Sequence, residues 1–276
     1  MRQNKVDTII ITSESDSLKV YLQKIWQYRT LIWVFARRDL KVKYAQTWLG
    51  LGWTLFQPLT AFAIYTFFFG YILNWKTDGI DYPVYVLSGL LGWNFFSYIV
   101  SSGTYGIQES SHLIKKIYFP KTIIPLSKIL FASIELGINL LLLIVLILVY
   151  QQGISWKILF LPLVIVYNAI CALTLVFLFT ALAYKKRDIL HLVPFALQFG
   201  IWFSPVFFSR DILPNKISFL MDLNPLANVV EMWRWCLFDF GEVNWLWSIV
   251  LIASMSLFCL GIFLFSRVEY TLTDNS

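Results

Sequence analysis

Long apolar runs separated by short polar segments dominate the chain, and they replace the alternating or striped patterns of a soluble protein. A helix needs about 20 predominantly apolar residues to cross the hydrocarbon core of a bilayer. Five runs reach that length, at residues 50–73, 84–105, 123–149, 156–184 and 245–265. The pattern therefore predicts five membrane-spanning helices.

A sixth crossing is predicted at residues 192–208, a shorter run that contains Pro194 and Pro205. Another short apolar run, residues 225–240, follows it and is interrupted by charged residues. Non-helical backbone at membrane depth is tolerated only inside protein or beside a water-filled cavity. We therefore interpret the two runs as one crossing plus short re-entrant helices, and predict an all-α polytopic membrane protein with six transmembrane helices.

The whole chain, residues 1–276, is expected to form one transmembrane domain, with the six spans inside residues 50–266. In residues 17–35, apolar positions share one helical face and the basic residues lie largely away from it. That pattern is typical of an amphipathic helix lying in the membrane interface. Residues 1–49 and 267–276 are expected to lie outside the membrane, in the cytoplasm.

The distribution of basic residues predicts the orientation. Seventeen of the 22 lysines and arginines lie before the first span, at 106–128, at 185–187 or after the last span. Such a bias marks the cytoplasmic side, so both termini are predicted to be cytoplasmic. The net charge of +6 would also suit a nucleic-acid-binding protein, but bases that flank membrane spans are explained more simply by phospholipid headgroups.

Composition excludes most enzyme classes. Hydrophobic residues make up 58% of the chain and charged residues 14%, against roughly 45–50% and about 25% in soluble domains. The sequence has no GxxxxGK[ST] phosphate loop, no CxxC pair and only two histidines. We therefore expect no catalytic residues, cofactor or metal in this chain, and any ATP hydrolysis would belong to another polypeptide.

Two basic segments are candidate functional surfaces. Arg37, Arg38, Lys41 and Lys43 precede the first span, where they either set the orientation or hold an anionic headgroup. Residues 110–128 read as a short basic and aromatic helix followed by a proline-punctuated turn. Exposed aromatic residues beside such a turn would be suited to a pocket in a partner protein.

Aromatic residues continue through the first two predicted spans. They form either interfacial belts and lipid-facing surface, or a path on which sugar rings stack. The path candidates are Trp53, Tyr65, Tyr71, Trp93, Phe95, Phe96 and Tyr98.

Ionisable residues within apolar runs are functional candidates by default. Glu135 lies one helical turn from Asn139, and could serve helix packing or transport. Glu231 and Arg234 are three residues apart and are expected to pair on one helical face.

Five segments in a fixed order carry a family resemblance. They read RRDLKVKYAQTWLGLGWTLFQP at 37–58, LIKKIYFPKTIIPLS at 113–127, KKRDILHLVPFALQFGIWFSPVFF at 185–208, NPLANVVEMWRW at 224–235 and SRVEYTLTD at 266–274. Over residues 24–272 the chain resembles the membrane permease subunits of ABC transporters that export polysaccharides. The first two segments are most similar to those of O-antigen exporters, which serve lipopolysaccharide biosynthesis.

The resemblance implies a homodimeric channel in the bacterial cytoplasmic (inner) membrane. Two copies of a cytoplasmic nucleotide-binding ATPase subunit would bind ATP and Mg²⁺ and drive export of a polyprenyl-diphosphate-linked glycan. The glycan would pass the aromatic path after its lipid diphosphate is held by Arg37, Arg38, Lys41 and Lys43.

The resemblance also implies residue roles. An extracytoplasmic gate would contain Asn224, Pro225, Glu231 and Arg234. The helix that couples to the ATPase would contain His112, Lys115, Lys116, Tyr118, Phe119, Pro120 and Lys121.

Other functions stay open at this point. The glycan could be teichoic acid or capsule in place of O-antigen, and a related ABC permease would carry a drug or an ion. A stand-alone membrane glycosyltransferase or flippase would instead need acidic groups in a loop, for which Asp211, Asp222, Asp239 and Glu242 are the candidates.

Overall fold

A computed structural model of the chain describes residues 18–274 except 76, 78, 115, 118, 187 and 242–244. Throughout this part the regular elements are helices. The α-helices are α1 Leu18–Gln27, α2 Arg29–Tyr44, α3 Trp53–Tyr65, α4 Tyr82–Glu109, α5 Ser111–Ile114, α6 Ile123–Val149, α7 Leu161–Lys185, α8 Ile189–Gly200, α9 Asn215–Asp222, α10 Pro225–Phe238 and α11 Trp245–Asp274. A π-helical stretch, Thr66–Ile72, continues α3, and 3₁₀ turns cover Gly50–Gly52, Trp156–Phe160, Ile201–Phe203 and Arg210–Ile212.

Five helical stretches are long and apolar enough to cross a bilayer, in agreement with the five long runs of the sequence. They are Gly50–Ile72, Tyr82–Glu109, Ile123–Val149, Trp156–Ala183 and Trp245–Ser266. The chain is therefore a polytopic helical membrane protein.

The region of the predicted sixth crossing contains a shorter helical stretch, Ile189–Phe203. At 1.5 Å per residue, its fifteen residues span about 22 Å, less than the hydrocarbon thickness of about 30 Å. The helix ends just before Pro205, as expected because proline disfavours the helical conformation of the residue that precedes it. The backbone then bends, and α9 and α10 follow.

Helix α4 forms the centre of the bundle. It packs against α3, α6, α7, α8 and α10, and α11 packs on the far side of α7. Most of its residues are buried, on every face of the helix. The consequence is that α4 contacts protein on all sides, whereas the neighbouring span Gly50–Ile72 leaves one face exposed.

Helix α10 packs against α4 through two glycines. A Cβ atom at Gly92 would lie 3.0 Å from the Trp233 ring, and one at Gly89 would lie 2.5 Å from Arg234 Nη2. Trp233 and Arg234 are both fully buried. Only glycine leaves room at these two positions for the large side chains of α10.

Arg234 bonds to main-chain carbonyls at the point where the chain bends. Its guanidinium donates to the carbonyl oxygens of Pro205 (2.5 Å), Val206 (2.9 Å) and Tyr85 (3.2 Å). The guanidinium carbon also lies 3.4 Å from the centre of the Tyr85 ring. Arg234 therefore stabilises the irregular segment that follows α8.

The expected ion pair between Glu231 and Arg234 was wrong, because each residue contacts another partner. Glu231 forms its ion pair with Arg210, whose Nη1 lies 3.6 Å from Glu231 Oε2. Arg234 contacts main-chain carbonyls and not Glu231, because the bend after α8 presents several carbonyl oxygens to this one buried donor.

The predicted interface helix at 17–35 is divided into two helices at Tyr28. Helix α2 then continues through the basic segment as far as Tyr44, and it packs against α6. The prediction of a single helix was therefore wrong at Tyr28. The amphipathic pattern at 17–35 also does not reveal that residues 36–44 pack on α6.

Replacing Arg234 with methionine should lower the free energy of unfolding by about 3 kcal/mol, because several buried carbonyls lose their donor. The matched control is Arg29→Met, since Arg29 is an exposed arginine with one carbonyl contact, to Trp26. The control should change stability by about 0.5 kcal/mol or less. SDS titration in mixed micelles, followed by tryptophan fluorescence, measures both, and equal stabilities would contradict the role given to Arg234.

Candidate functional site

The basic end of the bundle is where α2, the end of α4 and the start of α6 meet. There Lys128 of α6 is buried and forms a 2.6 Å ion pair with Asp39 of α2. The same carboxylate accepts from Arg38 at 2.9 Å. Asp39 therefore holds α2 against α6 and partly neutralises Arg38.

A second set of contacts links α2, α3 and α6. Lys43 Nζ lies 2.6 Å from Glu135 Oε1, and the Tyr44 hydroxyl donates to the same oxygen. Thr54 of α3 donates to the Tyr44 hydroxyl at 2.9 Å. Of the two roles left open for Glu135, these contacts favour helix packing.

The four headgroup candidates divide into two pairs. Arg38 and Lys43 form ion pairs with Asp39 and Glu135. Arg37 and Lys41 are exposed and lie one helical turn apart, so they share a face of α2. If the basic segment holds an anion, Arg37 and Lys41 are the residues placed to do so.

The candidate coupling segment begins with the short helix α5 and continues through the exposed residues Lys116 and Ile117. Lys115, Tyr118 and the side chain of His112 lie outside the described part of the structure. In the second half of the segment, Phe119, Pro120 and Lys121 are buried.

The expectation that Phe119 is an exposed anchor was wrong. Its ring is 5% exposed and packs edge-on against Phe35 of α2, with 5.5 Å between the ring centres. The Tyr21 hydroxyl of α1 forms a hydrogen bond with Thr122. The second half of the segment is therefore fixed to α1 and α2, and Lys116 and Ile117 are left on its surface.

Most of the aromatic path candidates in α4 are core residues. Trp93, Phe95 and Phe96 are between 2% and 6% exposed, so none of them lies on the outer surface of this chain. The periodicity of the sequence could not reveal this, because most of the surface of α4 is buried by other helices.

The path candidates outside the core differ in exposure. Tyr71 is 80% exposed. Trp53, Tyr65 and Tyr98 are half-buried. Tyr65 packs against Phe207, with 4.1 Å between ring centres, and Tyr98 stacks on Phe131 at 4.7 Å.

At the opposite end, the gate candidates mainly hold short helices together. Asn224 accepts from the Leu226 amide as the N-cap of α10 and donates to the Phe203 carbonyl at 2.9 Å. Pro225 is the first residue of α10, where a missing amide hydrogen costs nothing. Asn224 therefore connects the end of one apolar stretch with the start of the next.

Arg210 joins two acidic residues at this end. It pairs with Asp222 of α9 as well as with Glu231 of α10. Burial raises the pKa of the Asp222 carboxyl, and the charge of Arg210 opposes that rise. The three residues fix α9 beside α10.

Sequence reasoning did not assign roles to Asp39 and Lys128. A signal was present, because Asp39 is the one acidic residue within the basic run 37–43. A lone carboxylate among bases indicates a specific partner, although the sequence does not show that the partner is Lys128.

Residues 30–238 match the family model of the ABC-2 type transporter. The chain is 26% identical over 247 residues to the O-antigen export system permease protein RfbA of Klebsiella pneumoniae, which covers 88% of this chain and 94% of that protein. It is 25% identical over 215 residues to the protein of the same name from Myxococcus xanthus, covering 77% of this chain and 82% of that one. It is also 26% identical over 203 residues to the polysialic acid transport protein KpsM of Escherichia coli, covering 71% and 77%.

The family match extends from the start of α2 to the end of α10, so it includes both the basic end and the short helices at the opposite end. It covers well over half of the sequence. The chain belongs to the ABC-2 type transporter family.

Proposed function

We propose that this chain is the channel-forming permease subunit of an ABC transporter that exports a lipid-linked polysaccharide across the bacterial cytoplasmic membrane. The observation that carries the proposal is the similarity over 88% of the chain to a protein named as an O-antigen export permease. The similarity to a polysialic acid transport protein covers less of the chain, 71%. O-antigen is therefore favoured over capsule, and teichoic acid is the second alternative.

In this proposal both termini are cytoplasmic and the chain crosses the membrane six times, with Ile189–Phe203 and the bend after it as the incomplete crossing. The distribution of lysine and arginine supports the orientation. The basic end then faces the cytoplasm, and α9 and α10 lie at the extracytoplasmic end.

A second copy of the chain would complete the channel. The span Gly50–Ile72 has a face of large exposed side chains, in part aromatic, that the rest of this chain does not cover. They are Phe56, Leu59, Ile64, Phe67, Phe68 and Tyr71. Lipid or a second copy must cover such a face, and an aromatic surface between two copies suits a moving glycan better than the buried rings of α4.

The lipid diphosphate would be held by Arg37 and Lys41. Both are exposed and on one face of α2. The helix that carries them is fixed to α6 by two ion pairs. Their charges are therefore presented from a rigid element next to the first span.

Export would be driven by a separate cytoplasmic ATPase subunit that contacts the coupling segment. Lys116 and Ile117 are the exposed part of that segment. Movement of this segment would be transmitted to α2 through the contact between Phe119 and Phe35. It would be transmitted to α1 through the hydrogen bond between Thr122 and Tyr21. The permease itself would do no chemistry and bind no cofactor.

A stand-alone glycosyltransferase is less well supported. Asp222 and Asp239, two of its acidic candidates, are each in an ion pair, with Arg210 and Lys157 respectively. Glu242 and the side chain of Asp211 lie outside the described part of the structure. A drug or ion permease is disfavoured by the names of the relatives.

Deleting the gene in its native host should trap lipid-linked glycan inside the cell and remove polysaccharide from the surface. Restoring the gene should reverse both effects. Radiolabelled sugar followed through cell fractionation measures the two pools, and the trapped material identifies the glycan. Normal surface polysaccharide in the deletion strain would contradict the proposed function and point to another cargo.

Replacing Ile117 with alanine should weaken binding of the ATPase subunit about tenfold, or about 1.4 kcal/mol, because it removes an exposed apolar contact. The matched control is Ile154→Ala, since Ile117 and Ile154 are each 53% exposed and Ile154 lies at the opposite end. Co-purification and titration of the ATPase against the detergent-solubilised permease measure the difference. Equal affinities for the two variants would contradict the assignment of this surface.

A further inference from the structure

A cavity of about 250 Å³ lies between α3, α4 and α6, with Lys43 of α2 at its edge. Each spanning helix contributes polar side chains to it, among them Gln57 from α3, Asn94 and Ser97 from α4, and Asn139 from α6. Asn139 is 16 residues from the start of α6, which places it about 24 Å along that helix. Polar walls at such depth in a membrane protein are costly unless something polar occupies the space.

Asn139 lines this cavity and carries a hydrogen-bonding atom without a partner. Its amide nitrogen donates to the main-chain oxygen of Glu135 at 2.9 Å. Its Oδ1 has no hydrogen-bond partner, and the residue is only 7% exposed. A buried acceptor without a donor is destabilising. Among the described residues the amide oxygens of Asn139, Asn168 and Asn228 share this property, and of these three only Asn139 lines the cavity.

The charges in the cavity wall cancel. Among the lining residues that the structure describes, the charged ones are Lys43 and Glu135, which lie 2.6 Å apart as an ion pair. A free anion or cation would have to break this pair. The wall therefore favours a neutral polar ligand.

The remaining lining combines amide and hydroxyl groups with aromatic rings. Gln57, Asn94 and Asn139 each offer both a donor and an acceptor, as adjacent hydroxyls of a sugar require. Phe95 and Tyr98 line the same cavity, and Tyr98 is held in place by stacking on Phe131. The volume suits one small polar unit better than a chain of them.

We propose that this cavity binds a single neutral sugar unit of the lipid-linked glycan, an inference that rests on the proposed function. Lys43, at the edge of the cavity, is two residues from Lys41. The site for the lipid diphosphate and the site for a sugar next to it therefore lie within one turn of the same helix, on different faces of it. The cavity recognises the sugar, and the exposed basic residues Arg37 and Lys41 bind the diphosphate.

The test uses the complete transporter, permease with its ATPase, reconstituted in lipid nanodiscs. ATP hydrolysis is titrated with lipid-linked glycan extracted from the deletion strain and, separately, with polyprenyl diphosphate that carries no sugar. Asn139→Leu should raise the glycan concentration for half-maximal stimulation at least tenfold, because leucine removes the amide from the cavity wall. The response to polyprenyl diphosphate should stay as in the wild type.

Asn168→Leu is the matched control. Asn168 is also a buried amide that donates to a main-chain carbonyl, that of Gly92, and its Oδ1 also has no partner. It is not among the residues that line the cavity. The control should keep the wild-type glycan concentration for half-maximal stimulation, because a purely structural loss of an amide would affect both variants alike.

The outcomes separate the two proposals. A wild-type transporter that does not respond to the glycan would overturn the proposed function. A normal response in Asn139→Leu, or equal shifts with both lipids, would overturn the sugar site alone.

A second measurement applies if Asn139→Leu does not fold. Ser97→Cys is introduced into a chain in which Cys171, Cys236 and Cys259 are alanine, and maleimide labelling is followed in the complete transporter. Glycan should slow the labelling at least fivefold and polyprenyl diphosphate should not. Labelling at one rate with and without glycan would overturn the sugar site.

Discussion

The bend after α8 depends on one buried cation. Arg234 supplies donors to the carbonyls of Pro205 and Val206, which lie outside any helix, and also to that of Tyr85 in α4. Without such a donor, an apolar helix of fifteen residues could not end inside the bundle, because unpaired carbonyls at that depth are expensive. Gly89 is the complementary requirement, since a Cβ there would collide with the guanidinium. The short helices at this end, and hence the shape of one end of the bundle, follow from this pairing of a large cation with a glycine.

The opposite end is held by charge pairs of another kind. Lys128–Asp39 and Lys43–Glu135 both connect α2 with α6, and α2 also holds Phe119 through Phe35. The basic helix α2 is thereby joined to the apolar helix α6 and to the segment proposed to contact the ATPase. In each pair at least one of the two side chains is largely buried. Such a pair constrains the positions of the helices more than a freely exposed surface pair would. Motion of the coupling segment would therefore move α2 and α6 together, and not a loose loop.

The sequence was sufficient for the elements that depend on length and composition, and not for those that depend on packing. The five long runs appear as helices because apolar length alone decides them, and α10 appears where the second short run lies. The role of Phe119 was misjudged because sequence shows that a residue is aromatic, and not which helix covers it. The same limit applies to Trp93, Phe95 and Phe96, and to Arg234, whose partners are carbonyls and thus carry no sequence signature. Partners distant in sequence, such as Asp39 and Lys128, could be suspected but not matched.

Ion pairing within the basic segment sharpens what the proposed function requires. Four free bases would attract any anionic lipid headgroup, and they would give little selectivity for a glycan carrier. Pairing Arg38 and Lys43 with Asp39 and Glu135 leaves Arg37 and Lys41 for a diphosphate and makes the adjacent cavity electrically neutral. Charge then serves to hold the lipid, and uncharged amides serve to distinguish what is attached to it. Because the two properties reside in different residues on different faces of α2, selectivity for the sugar could change without loss of the diphosphate site.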